Sequence, residues 1–127
     1  MVVVDTSVWV AVLRSPTAPE AAILAALIDA DAVILAAPVR VELLSGVGAR
    51  ERGPLRRRLT ALAVAYPTDD TWALIERWLD QATDKGHRFG VGDLLVAALA
   101  SERGALIWSL DRDFERMAKL KLVQLYD

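Results

Sequence analysis

Four acidic residues stand where acids are costly. Asp5 ends the β-branched run Val2-Val3-Val4. Glu42 lies between Val41 and Leu43. Asp93 is the only charge in the apolar stretch Val91 to Ala100, and Asp111 follows the run Ala105-Leu106-Ile107-Trp108-Ser109. Two carboxylates about 6 Å apart repel by roughly 3 kcal/mol at an effective dielectric of about 20. Four sharing one cleft need a counter-charge, or some of them stay protonated. The chain has no cysteine and one histidine, His87, so thiolate and multi-histidine metal sites are excluded and any ion must be held by oxygen. Hard oxygen ligands point to Mg²⁺ or Mn²⁺. The matching chemistry is phosphodiester hydrolysis by a metal-activated water, with one or two ions.

The elements that must position these acids follow from patterning. Val2 to Val4 reads as a strand buried on both faces, and a short helix from Val8 to Leu13 follows Thr6 and Ser7. Thr17-Ala18-Pro19-Glu20 reads as a capping box with Thr17 as N-cap, for a helix to about Ala30. Ala32 to Ala36 is a second strand. A third helix runs from Pro38 to about Leu44 and closes at Gly46. Arg50 to Ala63 is a fourth helix with Leu55, Leu59 and Leu62 on one face. Val64-Ala65-Tyr66 is a third strand. Thr68 or Asp69 caps a long helix to about Lys85, with Trp72, Ile75 and Leu79 at helical spacing. Trp72 and Trp78 read as core or partner-facing packing. After the Gly86–Gly90 loop, which holds His87, Val91 to Ala100 reads as a central helix. Ala105 to Ser109 is a fourth strand, a short helix opens near Phe114, and Leu122 to Leu125 is a closing fifth strand.

Short buried strands alternating with helices specify α/β with a mostly parallel sheet. In such sheets ligands bind outside the carboxyl ends of the strands. Asp5 and Asp111 leave those ends directly, and Glu42 and Asp93 lie within about a helical turn of them. The four acids therefore converge on one edge.

Each acid taken alone has a structural explanation. Asp5 could cap the helix after it, Asp111 or Asp113 could cap the helix at Phe114, and Asp93 suits a positive helix first turn. Glu42 has none as simple, since Arg40 two residues away points elsewhere on a helix. Capping does not cover all four.

The chain has 127 residues and reads as one domain, residues 1–127. It is 54% hydrophobic and 25% charged, which fits a globular protein rather than a disordered one. No apolar run is long enough for a membrane span, no signal peptide is read, and the lack of cysteine fits a reducing cytoplasm. The net charge of −2 argues against nucleic acid at face value. With four acids assigned to a cation, however, the 15 basic residues outnumber the remaining acids. Arg50, Arg52, Arg56, Arg57 and Arg58 are clustered. Singly each suits a solvated helix face; together they could form a phosphate-contacting rim, with Arg52 and Arg56 on one face.

Four segments in this order, Val3-Val4-Asp5-Thr6-Ser7, Val41-Glu42-Leu43-Leu44-Ser45-Gly46, Gly92-Asp93-Leu94-Leu95-Val96-Ala97-Ala98 and Ser109-Leu110-Asp111-Arg112-Asp113-Phe114, resemble the PIN domain. Length and spacing are most similar to VapC toxins of type II toxin–antitoxin pairs. The resemblance implies a three-layer α/β/α sandwich with a mostly parallel sheet of four to five strands. It implies a metal-dependent endoribonuclease using Mg²⁺ or Mn²⁺, usually a homodimer, acting on RNA and inhibited by a VapB-type antitoxin. Asp5, Glu42 and Asp93 match the family's metal-binding catalytic acids. Ser7 matches a hydroxyl lining the site, and Ser109 a position that is often threonine. The fourth acid is Asp111 or Asp113. Asp111 is preferred because it directly follows the strand, leaving Asp113 as a supporting residue or helix cap.

Two rivals share the parallel α/β frame. A phosphoacceptor receiver domain would pair acids after the first strand and place a lysine after the last. A haloacid-dehalogenase-type phosphatase would carry an aspartate where Ser7 stands. A non-catalytic binding module would have no need to keep all the acids.

Overall fold

A computed structural model describes all 127 residues. β1 (Val2–Val4) is followed by α1 (Thr6–Arg14) and α2 (Pro19–Asp29), then β2 (Val33–Ala36), α3 (Ala37–Ser45) and α4 (Ala49–Thr60). β3 (Ala63–Ala65), α5 (Asp69–Asp84), α6 (Val91–Glu102), β4 (Leu106–Trp108) and α7 (Arg112–Lys119) complete the chain. The strands form one parallel sheet in the order β3-β2-β1-β4. The helices cover it as an α/β/α sandwich.

That order sets the location of the site. From β1 the chain steps outward to β2 and β3, then returns across the sheet to place β4 on the other side of β1. The topological switch point therefore lies between β1 and β4, and a crevice opens there beyond their carboxyl ends. Asp5 follows β1, and Ser109 and Asp111 follow β4. The two ends are stitched together where the Asp5 amide donates to the Trp108 carbonyl at 2.9 Å.

Val2, Val3 and Val4 are all buried, because parallel strands here have helices on both faces. α6 is buried almost all round at Leu94 and Val96 to Ala100, and packs on β1, β2 and β4 as well as α5 and α7. Its small alanines let it lie close to the sheet. One core of 30 buried residues runs from Val2 to Val123. No single helix is long and apolar enough to cross a membrane.

Several elements differ from the sequence expectation. The capping box at Thr17 does not form; Ala18 is the N-cap of α2, without a side-chain hydrogen bond, and Pro19 opens the helix. A reciprocal box forms instead at Thr68 and Thr71, and Thr71 also donates to Glu102 at 2.6 Å, tying α5 to α6. α4 ends at Thr60 rather than Ala63, because residues 63–65 pair with β2. The buried face of α5 is Thr71, Ile75, Trp78 and Ala82, so Trp72 and Leu79 point outward, at 44% and 43% exposure. The expected fifth strand is reduced to a single bridge between Ile107 and Leu125.

Candidate active site

Asp5 is the most deeply set acid, at 7% exposure. It is the N-cap of α1, and its Oδ2 accepts from the Ser7 amide at 3.4 Å. The same oxygen accepts from the Ser7 and Ser109 hydroxyls, each at 2.8 Å. The hydroxyl protons are directed there by the backbone. The Leu110 amide donates to Ser7 Oγ, and the Asp111 amide to Ser109 Oγ, both at 3.0 Å. Each serine thus accepts from one amide and has its hydroxyl set against Asp5, and the two hydroxyls also lie 3.2 Å from each other. Oδ2 is saturated, and Oδ1 makes no protein hydrogen bond and is free for a ligand. Capping and site-building are thus the same geometry: Asp5 does both.

Across the crevice, carboxylate oxygens of Asp93, Asp111 and Asp113 lie within 4.8 Å of one another, the spacing of a shared cation site. Asp93 sits in the first turn of α6, where the helix dipole favours the ionised form by about 0.3–1 kcal/mol. The dipole loses. Burial, then the charges of Asp111, Asp5, Asp113 and Glu42, raise Asp93 from 3.8 to about 6. Asp5 and Glu42 are thus close enough to act on Asp93 although they stand outside the trio, and the donors are oxygen throughout, as Mg²⁺ or Mn²⁺ requires.

The remaining sequence candidates fall as follows. Asp111 is the N-cap of α7, its Oδ1 accepting from the Asp113 amide at 2.9 Å, so the cap falls to Asp111 and not to Asp113. Asp113 joins the trio while ion-paired with Arg116 one helical turn on. Glu42 stands outside the trio and is exposed; α3 buries Val39 and Leu43 and leaves Val41 in solvent. Glu42 therefore needs no internal partner, contrary to its apolar neighbours in sequence. Ser7 and Ser109 both reach the site, as described. His87 stacks on Phe89 at 5.8 Å in the loop before α6, outside the acid cluster.

The arginine rim is rearranged. Arg52 turns inward and donates to the Leu44 and Val47 carbonyls, clamping the α3–α4 turn rather than offering itself to phosphate. Arg56 is exposed on α4 and does not line the groove that Arg50 shares with Glu42. Arg14, which the sequence reading did not single out, lines that groove too. The signal was present: Arg14 is seven residues after Ser7, on the same face of α1.

The PIN domain family model matches residues 2–120, and the chain belongs to that family. A ribonuclease VapC21 from Mycobacterium tuberculosis (strain CDC 1551 / Oshkosh) is 36% identical over 81 residues; the match spans 59% of this chain and 59% of that protein's length. The fold is similar to a VapBC-1 structure from nontypeable Haemophilus influenzae, with TM-score 0.79 and 17% identity over 100% of this chain and 98% of that one. It is also similar to VapBC2 from Rickettsia felis bound to a promoter DNA fragment (TM-score 0.80, 18% identity, 99% and 98% covered). A third likeness is Mycobacterium tuberculosis VapC20, described as a sarcin–ricin loop cleaving toxin (TM-score 0.68, 20% identity, 91% and 94% covered).

Two outcomes follow from this geometry. Asp93 binds its proton more readily folded than unfolded, so without metal the chain loses stability as pH rises from 3.8 through about 6. Metal-free Asp93→Asn should lose that slope and melt at or above the wild-type temperature at pH 7, read by circular dichroism. A lower melting temperature would make Asp93 a structural cap. Ser109→Ala should weaken Mn²⁺ binding about 10–100-fold in calorimetry, as loss of a ligand's orienting partner does, and Ser109→Thr should restore it. Unchanged affinity in Ser109→Ala would show that the hydroxyl does not position Asp5.

Proposed function

We propose that the chain is a divalent-metal-dependent endoribonuclease and the toxin of a VapBC-type pair, acting on RNA in the cytoplasm. The observation that carries this reading is the convergence of Asp5, Asp93, Asp111 and Asp113 at the β1/β4 switch point, strong enough to raise Asp93 to about 6. The ribonuclease relative and the VapBC likenesses support it.

Asp5 Oδ1, Asp93 and Asp111 would hold Mg²⁺ or Mn²⁺, with Glu42 completing the acid set at the mouth and Asp113 beside Asp111. When bound, the ion supplies Lewis acidity to the scissile phosphate and activates a water. The chain's own work is orientation. Ser7 and Ser109 fix Asp5, and the Ser109–Asp111 turn fixes Asp111 against it. Clustered acids with no ion repel a phosphate, so binding of RNA and of metal are coupled.

The partners follow from the surface. An antitoxin arginine entering the acid cluster would meet carboxylates suited to a bidentate ion pair, and co-purification with a small neighbouring gene product would show such a partner. Trp72 and Leu79, exposed and seven apart on one face of α5, support a homodimer. Leu79→Asp should convert a dimer to a folded monomer in sedimentation; a wild-type monomer at all concentrations would contradict the dimer.

The test of the reaction is RNA cleavage by the purified chain in Mn²⁺. Chelation should stop it, and Asp93→Asn should slow it by about a hundredfold or more, since loss of a mere partner to a metal ligand already costs about 10–100-fold. Cleavage that persists in chelator, or at the wild-type rate in the variant, would refute the reading.

A further inference from the structure

A groove of about 590 Å³ opens between α1, α3 and α4. Its apolar floor is Val10, Leu13, Val47 and Leu55. Arg14 rises from α1, and Arg50 and Arg58 from α4, where they are eight residues apart and share a face. Glu42, whose charge is felt by Asp93, is part of the lining and sets this groove beside the acid cluster, and Glu51 is the other carboxylate of the lining. None of the three arginines is in an ion pair; the one salt bridge of the chain is Arg116–Asp113. Ordinary surface arginines scatter, but these three converge on a concave apolar surface that begins at a proposed metal ligand.

We propose that this groove is a nucleotide subsite, which seats a base of single-stranded RNA next to the scissile phosphate and holds the flanking phosphates on Arg14, Arg50 and Arg58. The proposal rests on the ribonuclease reading and adds where the strand runs. The volume lies within the roughly 300–1,000 Å³ of small-ligand sites. The chemistry is complementary in both halves. The floor accepts a base face without a hydrogen-bond code, and guanidinium planes pair with phosphate or stack on a base. Charge favours RNA over a merely apolar partner, because the lining carries three arginines against the two carboxylates Glu42 and Glu51, and an apolar helix seated here would cover that excess positive charge without pairing it. Arg14 is about 10 Å along α1 from Ser7, a distance a single strand spans within a few nucleotides. The groove also answers the charge problem: an ion would neutralise the acid cluster only at the reacting phosphate, and cations for neighbouring phosphates line the same groove as Glu42.

The test measures binding of a short fluorescein-labelled single-stranded RNA by anisotropy in Ca²⁺ across a salt series, and cleavage of the same RNA in Mn²⁺. The Arg14→Ala, Arg58→Ala double variant should lower affinity at least about tenfold and flatten the log–log salt slope by about 0.7 per lost phosphate contact. Its KM should rise with kcat nearly unchanged, the mark of lost uniform binding. Leu13→Ser should weaken binding with the slope intact, since it removes floor and no charge. These residues are exposed, and melting curves check that each variant folds. Wild-type affinity and slope in both variants, with cleavage intact in the wild type, would overturn the groove and leave the ribonuclease reading standing. A wild type that neither binds nor cleaves RNA would overturn both. Variants that bind RNA normally but lose a co-purified antitoxin would make the groove a protein dock and overturn the RNA assignment.

Discussion

Like charge forced together at the β1/β4 switch point is the constraint on which this structure turns. Asp93, Asp111 and Asp113 share one small volume, with Asp5 and Glu42 near enough for their charge to be felt, and Asp93, in a helix first turn that should favour its ionised form, is instead raised to about 6. Such repulsion would spread the acids apart if their backbones could move. Asp5 cannot move, because it is held by the Ser7 and Ser109 hydroxyls, which in turn accept from the Leu110 and Asp111 amides.

The fold serves that arrangement in a direct way. Parallel pairing of β1 with β4 brings together residues more than a hundred positions apart in sequence. α6 delivers Asp93 from the most buried helix, so its position is set by Leu94 and Val96 to Ala100 against the sheet rather than by a loop. Arg52 locks the α3–α4 turn through two carbonyls, which holds Glu42's helix in fixed relation to the arginines of α4. The rigid half of the site is thus built from strand ends and hydroxyls. The outer half, where Glu42, Arg14 and Arg50 line one groove, is open to solvent.

Much of this was legible in the sequence because buried strands and misplaced acids are strong signals. Val2 to Val4 followed by Asp5, and Ile107-Trp108-Ser109 followed by Asp111, locate strand ends by apolar run and abrupt polarity. What failed were readings of helix faces. Trp72 and Leu79 share a spacing with Ile75, but the helix is rotated so that Trp78 and Ala82 go inward. Arg52 and Arg56 share a face too, yet Arg52 finds free carbonyls at the end of α3, a partner no sequence pattern announces. Thr17 looked like a cap, but the helix begins at Pro19, one residue too late for that box. The division of labour between Asp111 and Asp113 needed coordinates, because both lie within the first turn of one short helix and both reach the cluster.

The most direct measurement of the central claim is the position of an ion. Anomalous diffraction from crystals of this chain grown with Mn²⁺ should place a peak between Asp93, Asp111 and Asp113, within coordination distance of Asp5 Oδ1 and with Asp5 Oδ2 still held by Ser7 and Ser109. No peak at saturating Mn²⁺, or a peak away from these carboxylates, would contradict the account.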